Sequence, residues 1–162
     1  MKISKYKKIF GMGPLGMVIG LVLLGLLWLL DRALNHVEIL TQPKPLRIIG
    51  LCFIALWMCW HVWCLRTIRL WWNEDRLCTT GPYRFVRHPI YAGGTLVFGI
   101  GLALILNSWI LLLWPILGCL TWSVLVRKEE KMMETVFGDE YTRYAARTGG
   151  LLPRLFRKSP PA

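Results

Sequence analysis

Residues 89–126 contain no charged side chain over 38 positions. A single α-helix of that length would extend about 57 Å, nearly twice the ~30 Å hydrocarbon core of a bilayer. The stretch therefore reads as two membrane spans joined by a tight turn. Asn107-Ser108 is the only consecutive polar pair within it, which places the turn there. Two further charge-free windows, residues 9–30 and 48–65, are 22 and 18 residues long, and Leu46 extends the second past Arg47. The expected architecture is an all-α integral membrane protein with four transmembrane helices at about 10–30, 46–65, 91–106 and 109–126. The last two are short and form a hairpin.

Composition excludes the main alternatives. With 55% hydrophobic residues and nine Trp in 162 positions, a soluble domain of this size lacks the interior to hide its apolar surface. Disordered chains are poor in these residue types. The net charge of +11 needs a separate account. With the N-terminus inside, segments 1–9, 66–90 and 127–162 are cytoplasmic and hold 4, 5 and 8 Lys/Arg, which is 17 of the 20. The outside retains Arg32 and Lys44, with Arg47 at its border. This is the positive-inside pattern. Both termini are expected in the cytoplasm, the lipid bilayer is the partner of the basic face, and no nucleic acid is called for.

Lys2, Lys5, Lys7 and Lys8 resemble a signal-peptide n-region. The apolar run behind them is span-length, and no small-x-small site follows Leu30, so it reads as an uncleaved anchor. The five cysteines, Cys52, Cys59, Cys64, Cys78 and Cys119, form no CxxC pair. They read as apolar filler, with no disulfide framework or metal site expected. The chain divides into a two-helix anchor, 1–65, and a core, 66–158. Oligomeric state stays open, since the glycines of the third span also suit helix pairing.

Three segments carry chemistry-bearing residues. The loop before the third span reads Gly81-Pro82-Tyr83-Arg84-Phe85-Val86-Arg87-His88-Pro89-Ile90-Tyr91. Gly81-Pro82 is turn chemistry, and Pro89 suits a first helical turn. Arg87 and His88 then sit at the membrane boundary beside a helix N-terminus, where polar ligand atoms are attracted. Interfacial anchoring by Arg and Tyr is an equal reading. The fourth span runs on into Arg127-Lys128-Glu129-Glu130-Lys131-Met132-Met133-Glu134. Arg127–Glu130 and Lys131–Glu134 pairs are possible there. Glu129 and Glu130 leave the bilayer within a few residues of Val126, and carboxylates so near hydrocarbon need a partner. Beyond Gly138, Tyr141 and Tyr144 lie on a short amphipathic helix that ends at Gly149-Gly150. They can pack on the membrane or close a pocket. Gly99 and Gly101 form a GxG that, inside a span, ordinarily serves helix packing.

Taken together, Gly81-Pro82-Tyr83, Arg87-His88-Pro89-Ile90-Tyr91-Ala92-Gly93, Glu129-Glu130, Phe137-Gly138, Glu140-Tyr141, Tyr144, Arg147 and Pro153 resemble the isoprenylcysteine carboxyl methyltransferase and phospholipid methyltransferase family of integral-membrane methyltransferases. The match in order and spacing covers about residues 66–154. The resemblance implies an S-adenosylmethionine-dependent enzyme acting at the cytoplasmic membrane face on a lipophilic acceptor. It implies cofactor contacts from Leu77, Cys78, Tyr83, His88, Pro89, Ile90, Tyr91, Gly99, Gly101 and Glu129. Arg87 and Glu130 become catalytic candidates, and Arg127 and Arg147 candidates for the acceptor. Glu129 would neutralise the cofactor's amine, and Tyr83 and Tyr91 would offer π-faces to its sulfonium.

Two positions depart from the carboxyl-methylating branch. Leu125 stands where an Arg is expected one turn before the first glutamate, and Gly150 stands where some relatives carry Arg. Both loosen the assignment of a carboxylate acceptor. A phospholipid amine is the alternative within the family. Outside it stand a nicotinamide-dependent reductase, because membrane sterol reductases are similar around Arg-His-Pro-x-Tyr, and a non-catalytic scaffold.

Overall fold

The structure, a computed structural model, describes residues 12–71 and 76–154. The described residues fold into five main helices. We label them α1 (Gly13–Ala33), α2 (Lys44–Trp71), α3 (Pro89–Ile105), α4 (Ile110–Phe137) and α5 (Asp139–Arg147). Three of them, α1, α2 and α4, are long and apolar enough to cross a membrane, and α3 is a shorter apolar helix. Met17, Leu21, Leu51 and Leu56 are exposed on the outward faces. In a multi-pass membrane protein these are the surfaces that lipid covers.

Helices stand at all four expected positions with shifted ends, but the third, at Pro89–Ile105, is shorter than the three that are long and apolar enough to cross a membrane. Positions 10 and 11 of the first lie outside the described residues. The second continues to Trp71 rather than stopping at 65. Arg66 and Arg69 are exposed there while Thr67 and Ile68 are buried against the following turn, so the helix simply becomes amphipathic as it leaves the bilayer. The fourth opens with a 3₁₀ turn, Ile110–Leu112, and runs on to Phe137.

The turn at Asn107-Ser108 is where the charge-free window predicts it. Asn107 takes φ +55°, a left-handed conformation that Asn tolerates better than most residues. Its side-chain amide donates to Leu40 O at 2.8 Å and its Oδ1 accepts from Leu40 N at 3.0 Å. Ser108, fully buried, donates to Asp31 Oδ1 at 2.6 Å, and His36 Nδ1 lies 2.6 Å from Asp31 Oδ2. Polar side chains thus satisfy the chain reversal at this end, as burial requires.

Close approaches fix the helix pairs. A Cβ on Gly50 of α2 would lie 2.7 Å from Gly101 O of α3. Trp114 of α4 donates its Nε1–H to Gly20 O of α1 at 2.8 Å and covers Gly99 of α3. Within α3 the segment Gly93–Phe98 is π-helical. Such widened turns are often found beside functional sites, and this one begins two residues after Tyr91.

Candidate active site

The chemistry-bearing segments converge at the end of the bundle opposite Asn107. Gly81, at φ +56°, starts the 3₁₀ turn Gly81–Arg84. A side chain there would strike Thr67 Oγ1 at 2.8 Å, so the turn lies flat on α2. Tyr144 of α5 donates its hydroxyl to Tyr83 O at 2.6 Å. Residues 86–88 then run beside 149–150: Arg87 N–H donates to Gly149 O at 2.8 Å and His88 N–H to Gly150 O at 3.1 Å. Pro89 begins α3, and Trp60 Nε1–H bonds its carbonyl at 2.9 Å.

The charged groups form one network. Arg87 Nε lies 2.8 Å and Nη2 2.7 Å from Glu130 Oε1. Its Nη1 donates to the carbonyls of Ala145 and Thr148 at the end of α5. His88 sits between the two glutamates, with Nε2 3.1 Å from Glu130 Oε1 and Nδ1 3.7 Å from Glu129 Oε2. Tyr91 donates its hydroxyl to Glu129 Oε1 at 3.0 Å. Glu130 is therefore neutralised by Arg87. Glu129, 3% exposed, is held by a phenol and an imidazole, with no Lys or Arg partner among the described residues.

Most of these groups border a cleft with about 540 Å³ of empty space, its open mouth included, whereas Glu130 does not line it. Cys78, Tyr83, Arg87, His88, Pro89, Ile90, Tyr91 and Glu129, all anticipated from the sequence, line it. Ile68, Met133, Tyr141 and Tyr144 line it as well. Of the two roles open to Tyr141 and Tyr144, the fold takes the pocket, and Tyr141 is 1% exposed. Burial pushes the Tyr83 phenol well above its usual range, so it stays a neutral donor. Its hydroxyl is buried without a hydrogen-bond partner among the described residues. Burial likewise pushes the Cys78 thiol up to about 11.

Other candidates lie elsewhere. Leu77 is buried next to the cleft but does not line it. Gly99 and Gly101 sit further along α3, under Trp114 and against Phe53, where they let helices approach. Arg127 and Arg147 are exposed, and neither lines the cleft. The Arg127–Glu130 pair is replaced by Arg87–Glu130, because α4 turns Glu130 toward α3 and Arg127 away from it. One face of Tyr91 is taken by Trp122, with ring centroids 3.8 Å apart and planes 8° from parallel. Trp122 was not among the expected site residues. In sequence it is one of nine Trp in an apolar chain, and no local pattern marks it.

Fold and site together define a multi-pass helical membrane protein with a buried acid–base cleft at one end of its bundle. The sequence profile of the phospholipid methyltransferase family matches residues 46–140, and the chain belongs to that family. It is 29% identical over 117 residues to the cobalt-zinc-cadmium resistance protein CzcN of Cupriavidus metallidurans, covering 71% of this chain and 53% of that protein. Its fold is similar to that of the eukaryotic intramembrane Ras methyltransferase ICMT (isoprenylcysteine carboxyl methyltransferase). The TM-score is 0.59 at 22% identity, covering 89% of this chain and 53% of that one. The chain spans about half the length of each.

Proposed function

We propose that the cleft binds S-adenosylmethionine from the cytoplasm and that the chain transfers its methyl group to a lipophilic acceptor supplied by the bilayer. The observation that carries this reading is Glu129, a carboxylate 3% exposed whose side-chain partners are the Tyr91 phenol and the His88 imidazole, with no Lys or Arg among the described residues. A buried anion at a membrane boundary calls for a cationic ligand. The residues present fit this cofactor. Glu129 would meet its ammonium, the unpartnered Tyr83 hydroxyl would donate to one of its polar atoms, and aromatic walls would flank its sulfonium. The crowding of 11 Lys/Arg on the described residues of 66–90 and 127–154, five and six of them, supports a cytoplasmic opening.

The cofactor, when bound, supplies a sulfonium methyl that an acceptor heteroatom displaces in line. The chain's own residues need only align the partners and exclude water. Tyr141 and Tyr144 close the cleft from α5. Arg87 and Glu130 act on position: one guanidinium ties α3, α4 and α5 together. Glu130 does not line the cleft, so as proton acceptor for an amine substrate it would act through His88, whose Nε2 lies 3.1 Å from its Oε1. A carboxylate substrate would require none.

The test is transfer of labelled methyl from S-adenosylmethionine to total membrane lipid and to prenylcysteine analogues, using wild type and Glu130→Gln. Incorporation that Glu130→Gln abolishes for the amine and only weakens for the carboxylate supports the proton-acceptor role. Equal loss with both acceptors removes that distinction. No incorporation into any fraction rejects methyl transfer to these acceptors.

A further inference from the structure

The family profile starts at residue 46 and leaves α1 outside it. The structure does not treat α1 as a detached anchor. Gly16 of α1 forms the seat of Trp122: a Cβ at 16 would lie 2.2 Å from Trp122 Cη2 and 2.6 Å from Cζ2. No side chain fits there unless the indole moves, and Trp122 is 8% exposed, with little room to move. The indole stacks on Tyr91 at 3.8 Å, and the Tyr91 hydroxyl holds Glu129 Oε1 at 3.0 Å. The start of α1 approaches the same pair. A Cβ on Gly13 would be 3.6 Å from Tyr91 Oη.

We infer that Gly16 and Trp122 are positioning residues of the methyl-donor cleft, and that α1 backs the wall that Tyr91 and Glu129 form. The seat at Gly16 fixes the Trp122 indole, the indole fixes the Tyr91 ring by stacking, and the ring's hydroxyl fixes Glu129 Oε1. Stacked aromatic pairs prefer defined offsets, which is what lets one ring index another. This inference rests on the proposed function above, because the role of Glu129 belongs to that reading.

Calorimetric titration of S-adenosylmethionine into purified protein in nanodiscs separates the two. Gly25 supplies the control, since it lies on the same helix and a Cβ there meets nothing within 4 Å. Gly16→Leu and Trp122→Leu should each weaken binding about tenfold, the scale of one lost aromatic pair. Trp122→Phe keeps a stacking ring and should stay within about threefold of wild type, while Gly25→Leu should match it. In steady state the same variants should raise KM for S-adenosylmethionine and leave KM for the acceptor nearly unchanged. Binding by Gly16→Leu equal to that by Gly25→Leu, or by Trp122→Leu equal to wild type, overturns the inference. If Gly16→Leu does not fold, the contrast between Trp122→Leu and Trp122→Phe decides. Absence of binding by the wild-type protein would instead reject the proposed function.

Discussion

Arg87 and Glu130 meet across 43 residues of sequence, with two guanidinium nitrogens, Nε and Nη2, at 2.8 and 2.7 Å from one carboxylate oxygen. The other edge of the same guanidinium caps the carbonyls of Ala145 and Thr148. One side chain just ahead of α3 thereby holds both α4 and the end of α5, the helix that carries Tyr141 and Tyr144 over the cleft.

Arg87→Lys should break this clamp although it keeps the charge, because an ammonium cannot present two edges in one plane. Loss of charge-assisted hydrogen bonds here should cost about 2–3 kcal/mol of stability. Limited proteolysis should then cut near Gly138 in the variant before the wild type. Equal protease resistance would mean that α5 is held by its tyrosines alone.

Gly138 separates α4 from α5 at φ +53°, ψ −131°, a combination that residues with a Cβ reach only under strain. A Cβ there meets nothing within 4 Å, so Gly138→Ala tests backbone conformation without a steric clash. The expected loss is about 1–3 kcal/mol, read from thermal unfolding. An unchanged melting temperature would show that the junction can relax.

Cys78 provides a pH test at the cleft. Burial pushes its thiol up to about 11, partly offset by hydrogen bonds from Thr80. At about pH 8, where an ordinary thiol near 8.5 is partly ionised, folded Cys78 should resist maleimide and become reactive only in denaturant. The sign for stability follows. The unfolded chain ionises this thiol first, so its contribution is full below the unfolded value and is lost as pH rises toward about 11. Mass spectrometry of tryptic peptides checks the reactivity. Rapid labelling of the folded protein would contradict the burial.

Much of the fold was legible because charge is so unevenly distributed. The break at Asn107-Ser108 is readable, since two adjacent polar residues in 38 uncharged ones have few other uses. The cleft segment from Tyr83 to Tyr91 is readable for a similar reason: turn chemistry, a helix-starting proline and polar groups fall together. Long-range pairing is not readable in this way. Glu130 has a basic neighbour one turn away in Arg127, and local spacing cannot reveal that Arg87 takes its place. The extension of α2 past 65 is hidden because Arg66 and Arg69 look like a loop. Gly16 and Trp122 are hidden because small and aromatic residues are ordinary inside a span, and only their contact makes them specific.

The opposite end of the bundle should be separable from the cleft. Asp31, 2% exposed, accepts from Ser108 and pairs with His36. Asp31→Ala leaves the Ser108 hydroxyl buried without this acceptor, at a cost of about 1–3 kcal/mol. Thermal unfolding should register that loss, while S-adenosylmethionine affinity stays within about twofold of wild type, because coupling between distant sites is small. A parallel loss of affinity would show that the two ends are linked.

The most direct measurement is equilibrium binding of S-adenosylmethionine to the purified protein and to Glu129→Gln, with NADPH as competitor. The expected result is saturable binding that NADPH does not displace and that Glu129→Gln weakens at least about tenfold, as loss of a charged partner in a buried site implies. Absence of binding to the folded protein, displacement by NADPH, or equal affinity in Glu129→Gln would contradict the assignment of this cleft as a methyl-donor site.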